Sequence, residues 1–215
     1  MPKIVDPDRR REEIAVLTLD VIRSVGIDRA SIRGIAERGG VSMSVLTHYF
    51  RNKDDLVSFA FRWLSDQTFA ELDLMLATRP AGLARLEAAL DAMFPRSGET
   101  TTMALWTSVW DRATRNPAFA REHRAYYARW RSYVTTFLSD AVARRQVPRD
   151  LCIADVTDLL VAAVDGLWIA SALEPKRFAG TRRRAVLARL VDGLTERGTI
   201  ARTRRPSSTS TFTGA

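Results

Sequence analysis

With 215 residues, 46% of them apolar and a single cysteine, the chain is long enough to bury a core without covalent staples. Cys152 cannot close an internal disulfide, the charged opening MPKIVDPDRRR lacks the apolar stretch of an export signal, and the apolar run Leu159 to Leu173 is broken by Asp165, so a cytoplasmic protein without a membrane span is expected. The net charge of +8 does not locate a nucleic-acid surface, because residues 1–55 carry +1, residues 56–175 carry −1 and residues 176–215 carry +8.

No stretch alternates with period two, whereas apolar residues recur at helical spacing throughout, which predicts an all-α fold. A first helix is expected over 8–25, with Ile14, Leu17, Val21, Ile22 and Val25 on one face and Gly26 ending it. Ser31 is placed to cap a short helix carrying Ile32, Ile35 and Ala36; Gly39 and Gly40 break it, and Ser42 is placed to cap another through Tyr49. Asn52, with Asp55 three residues on, opens a long helix carrying Leu56, Phe59, Ala60, Trp63 and Leu64.

Further helices are predicted at about 82–94, 100–115, 117–145 with Pro117 in its first turn, 152–173 and 178–197. The Ser/Thr-rich end, RTRRPSSTSTFTGA, has too little apolar surface to order itself. The expected division is a DNA-binding unit at 1–55, a helical effector-binding and dimerisation unit at 56–198, and a disordered tail at 199–215.

Function is concentrated in residues 31–50, SIRGIAERGGVSMSVLTHYF, which have the logic of a helix-turn-helix. Ala36 is small where two helices must meet, and Gly40 sits at the turn, where a positive φ is required. Ile35, Val41, Leu46 and Tyr49 form an apolar plug. That leaves Ser42, Met43, Ser44, Thr47 and His48 on the outer side of the second short helix, to read bases in a major groove about 12 Å wide. Ser31, the Tyr49 hydroxyl and Lys53 suit phosphate oxygens, and Arg33 suits either purpose. Arg9 to Arg11 are placed to follow the backbone or a minor groove.

Ala-x-x-x-Gly spacing alone recurs in any helical protein, but the longer string IAERGGVSMSVLTHYFRNKDDL resembles the TetR family of regulators. It has that family's Ile-Ala pair, Gly-Val-Ser turn, aromatic-Phe pair, and Lys followed by acidic residues and Leu, although Thr47 stands where most members carry Tyr. The local form, with ALWTSVWDRATRNPAFAREHRAYYARWR and AAVDGLWIASAL further on, is similar to the branch of choline-responsive, BetI-like repressors. The resemblance implies a homodimer built on the last two long helices, with effector pockets between the central helices. It implies a ligand-responsive repressor on a palindromic double-stranded operator.

In the second unit Trp106 and Trp110 share a helix face flanked by Asp111, and Tyr126, Tyr127 and Trp130 cluster on the next helix. Asp165 and Trp168 follow on a later one. Trp106, Trp110, Asp111, Tyr127, Asp165 and Trp168 are the effector candidates, since aromatic faces with carboxylates suit a cation or amine. The same residues also read as ordinary core, with Asp165-Gly166 permitting close helix approach. His123 reads as a helix-surface or capping residue, and the basic run Lys176, Arg177 and Arg182 to Arg184 as a solvated face. No metal-ligand spacing, nucleophile triad or glycine-rich phosphate loop is visible, so neither an enzyme nor a cofactor is expected. The rival reading is an all-helical enzyme or small-molecule carrier that regulates nothing.

Overall fold

The computed structural model describes residues 6–94 and 100–195, and every regular element among them is a helix. The order is α1 (Pro7–Val25), α2 (Ile32–Gly39), α3 (Met43–Tyr49), α4 (Lys53–Ala77), α5 (Leu83–Ala92), α6 (Thr100–Arg115), α7 (Pro117–Ala143), α8 (Ile153–Leu173) and α9 (Gly180–Asp192).

Capping chemistry sets the early boundaries. Asp6 accepts from the Asp8 N–H at 3.0 Å, Pro7 takes the first helical position, and Gly26, with φ +82°, follows the last turn of α1. Ser31 Oγ accepts from Gly34 N at 3.0 Å to start α2, and Asn52 Oδ1 accepts from Asp55 N at 2.9 Å to start α4. Asp55 reaches back to accept from Arg51 N at 3.1 Å, a reciprocal pairing close to a capping box. Ser42 precedes α3 without capping it, because its hydroxyl pairs with Ser44 Oγ at 2.8 Å.

Later boundaries fall short of the sequence expectation for local reasons. Arg145 takes a left-handed φ of 57° and Gln146 N bonds Ala141 O at 2.9 Å, which stops α7 at Ala143 rather than 145. The Arg177 and Phe178 amides bond Glu174 O at 3.0 Å, so a turn occupies the start expected for the last helix. The expected tail at 199–215 lies outside the described residues.

Two apolar clusters organise the molecule. One gathers Ile14, Leu19, Ile22, Ile35, Leu46 and Phe50 from α1–α3 and the residue after α3 with Leu56, Ala60 and Phe61 of α4, and it takes in Leu105, Val109 and Phe119 from α6 and α7. The other runs between the second half of α4 and α5, α7, α8 and α9, around Phe69, Leu86, Trp130, Leu138, Leu160 and Val191. α4 crosses both, and at about 1.5 Å per residue its 25 residues extend about 37 Å. Among the described residues, α8 alone is long and apolar enough to cross a membrane, and its Val156, Leu160, Val161, Val164 and Trp168 are buried against neighbouring helices.

Candidate nucleic-acid interface and effector chamber

The geometry of residues 31–50 follows from four buried or half-buried side chains and one glycine. Ile35 and Leu46 are 0% and 1% exposed, and Val41 and Tyr49 pack against the same cluster. Gly40 takes φ +60° and ψ 28°, and its amide closes α2 on Ala36 O and Glu37 O; a Cβ there would meet nothing within 4 Å, so the demand is conformational rather than steric. Ala36, 3% exposed, lies at the approach of the two helices.

With its apolar side turned in, α3 leaves Met43, Ser44, Thr47 and His48 exposed, with Ser42 just ahead of the helix. Thr47 Oγ1 donates to Met43 O at 3.1 Å, and the residue is exposed. The His48 ring sits edge-on to half-buried Tyr49 at 5.0 Å. Arg33 is exposed and paired with Glu37 at 2.8 Å, a pairing that raises its pKa further. Ser31 accepts in its cap and retains its hydroxyl hydrogen for another acceptor.

Lys53 is held more firmly than its exposed position in sequence suggests. Its Nζ donates to Asp28 O at 3.0 Å, and burial, then the neighbouring Arg112, pulls its pKa below the ordinary lysine value. Asp28 and Asp54 in turn bind Arg112 of α6 at 3.3 and 2.7 Å, and Asn116 Nδ2 donates to Asp54 Oδ2 at 2.9 Å. Sequence reasoning missed this knot, because Lys53 and Asp28 are 25 residues apart, the bonds from Arg112 and Asn116 to Asp28 and Asp54 span 58 to 84, and no local pattern joins them.

Five of the six effector candidates converge. Trp106 and Trp110 from α6, Tyr127 from α7, and Asp165 and Trp168 from α8 line a cavity of about 40 Å³, together with Tyr126 and Trp130. Asp111 is not part of it; it is exposed and ion-paired with Arg115 one turn along α6. Trp168 Nε1 donates to Met93 O at 3.1 Å and the ring stacks on Phe94 at 5.7 Å, so this wall is fixed. Tyr127 and Asp165 line the chamber together, close enough for each to shift the other's pKa. Burial raises the Asp165 pKa, against the opposing pull of Tyr127 and Arg131, and burial followed by Asp165 raises that of Tyr127. His123 is neither capping nor freely exposed: it is half-buried and stacks on Tyr127 at 4.5 Å.

A larger cleft of about 190 Å³ adjoins, between α4, α6 and α7, and Trp106 and Tyr126 face both spaces. Among the described residues no group of three or more His, Cys, Asp or Glu is placed to hold a metal ion.

Comparison with known proteins adds two family matches, two relatives and two solved structures. Residues 14–58 match the family described as bacterial regulatory proteins, tetR family, and residues 82–196 match the BetI-type transcriptional repressor C-terminal family. The HTH-type transcriptional regulator BetI of Escherichia coli K12 is 31% identical over 187 residues, covering 85% of this chain and 92% of that protein. The BetI of Vibrio vulnificus YJ016 is 28% identical over 191 residues, covering 87% and 93%. Two crystal structures share the fold. A protein of Pseudomonas aeruginosa PAO1 described as a transcriptional regulator has TM-score 0.77 and 26% identity, covering 89% of this chain and 92% of that one. One of Saccharomonospora viridis, solved with choline, has TM-score 0.78 and 22% identity, covering 86% and 96%.

Proposed function

The chain belongs to the TetR family of bacterial transcriptional regulators, in its BetI-type branch, and from that membership we propose which of its residues read DNA and which sense the effector. It is a DNA-binding, ligand-responsive repressor rather than an enzyme, and regulators of this family act as dimers on palindromic operators. The rival reading of a helical enzyme or carrier is thereby set aside.

In the proposed complex α3 lies in the major groove with Ser42, Met43, Ser44, Thr47 and His48 toward base edges. Ser31, Tyr49 and Lys53 fix register on phosphates, and Arg33 reads either bases or backbone. The observation that carries this is the outward polar face of α3 over an inward plug of Ile35 and Leu46. The proposed division is a DNA-binding unit at 1–55 and an effector and dimerisation unit at 56–198. The dimer seam is assigned to α8 and α9, supported by Leu159, Ile169 and Leu173, which are 44%, 46% and 77% exposed on α8. Two recognition helices about 34–36 Å apart would then meet successive major grooves.

The effector is proposed to be a cation of the amine or quaternary ammonium class. Trp106, Trp110, Tyr127 and Trp168 offer ring faces and Asp165 a carboxylate, each ring contributing about 0.5–2 kcal/mol of cation–π attraction. The choline in the Saccharomonospora viridis protein is consistent with that chemistry. An occupied chamber displaces α6, which carries Trp106 and Trp110 into the chamber and, two residues further on, Arg112 against the start of α4, and shifts the dimer toward a state with weaker operator affinity. Selection of genomic fragments by the purified protein, repeated with amines added, tests the reading. Enrichment of one palindromic site, abolished by a cationic amine, is the expected result, and enrichment unaffected by any amine would remove the proposed effector class.

A further inference from the structure

We infer that the effector site has two compartments, and that the effector is an amphiphilic cation whose head occupies the aromatic chamber while an apolar tail fills the adjoining cleft. The inference rests on the cationic reading of the chamber given above.

Size is the first argument. At roughly 10–15 Å³ for each water-sized occupant, a chamber of about 40 Å³ holds the equivalent of roughly three waters, enough for a compact ammonium head but not for a tail as well. The cleft beside it, at about 190 Å³, is several times larger.

Shared walls are the second. Among the described residues only Trp106 and Tyr126, with ring centroids 4.9 Å apart, line both spaces, so a rotation of one indole joins them. Tyr126 is tethered by its hydroxyl to Met93 Sδ at 3.7 Å, which leaves Trp106 of α6 as the movable leaf.

The third is chemical contrast. The chamber has Asp165 to attract a positive head, whereas the cleft is floored by Phe61, Val109 and Phe119. Its charged residues neutralise one another across α4 and α7, Arg62 with Glu122 at 3.2 Å and Arg129 with Asp66 at 3.1 Å. Nothing in the cleft therefore demands a second charge on the ligand. His123 borders it with a buried Nε2 that has no hydrogen-bond partner, and burial lowers its pKa, which favours the uncharged imidazole over the form that would repel an arriving cation.

Calorimetric titration of the full chain with tetramethylammonium and with hexyltrimethylammonium tests the inference. The hexyl compound is expected to bind at least about tenfold more tightly. Ala125→Trp, at an exposed position of α7 bordering the cleft, should cut that ratio below about threefold, and Ser65→Phe from the α4 side provides a second filling variant if the first unfolds. Asp165→Asn should weaken both ions by a similar factor. Tetramethylammonium binding without a hexyl advantage, or an advantage that survives both filling variants, overturns the second compartment while leaving the cationic chamber standing. No binding of either ion overturns both.

Discussion

Arg112 Nη2 lies 2.7 Å from Asp54 Oδ1, joining the helix that bears two chamber tryptophans to the first turn of α4, the helix that follows α3. The same guanidinium reaches Asp28 at 3.3 Å, and Asp28 O accepts from Lys53, a proposed phosphate contact. One side chain thus touches both the start of α4 and the α1–α2 turn.

Arg112→Ala is therefore expected to weaken communication more than either binding event. Effector-induced loss of operator affinity should shrink by about fivefold or more, the lower end of the 1–3 kcal/mol typical of allosteric coupling. Operator titrations with and without effector measure it. A parallel denaturation cycle with Asp54→Ala should show non-additivity of roughly 0.5–1 kcal/mol.

Burial raises the Asp165 carboxyl above its ordinary pKa of about 3.9. A permanently charged quaternary ammonium needs that group ionised, so its affinity should fall as pH drops through the raised value and hold steady above it. The Tyr127 hydroxyl and Arg131 act in the opposite direction and limit the shift. Binding measured against pH in wild type and Asp165→Asn checks this: the variant should bind weakly with a flat profile, because the ligand itself does not titrate.

Gly40→Ala should destabilise the chain by about 1–2 kcal/mol, the cost of a left-handed conformation for an L-residue, with no added clash because the space around it is open. Gly39→Ala differs in kind: its Cβ would come within 2.1 Å of Leu17 Cδ2, a flexible terminus that must swing aside. Urea denaturation of the two variants separates the conformational cost from the steric one.

Local chemistry was legible in the sequence wherever it acts over a few residues. Ser31 and Asn52 cap as expected, Gly40 takes its positive φ, and the plug of Ile35 and Leu46 is buried. Trp106, Trp110, Tyr127, Asp165 and Trp168 converge because three helices each present an aromatic face inward. What escaped depends on tertiary neighbours. Ser42 pairs sideways with Ser44, Asp111 pairs with Arg115 instead of facing the chamber, and Arg145 ends α7 through a left-handed turn that no glycine announces. The Arg112 knot and the cleft between α4 and α7 join residues too distant in sequence for periodicity to relate them.

The central claim, that α3 reads the operator while Lys53 anchors it, is tested most directly by titrating wild type, Thr47→Ala and Lys53→Ala against operator and point-substituted operators over a range of salt. Thr47→Ala is expected to relax discrimination at one base pair by about 1–3 kcal/mol, and Lys53→Ala to weaken every duplex alike and reduce the salt slope by about one. Affinity, base preference and salt slope identical to wild type in both variants would contradict it.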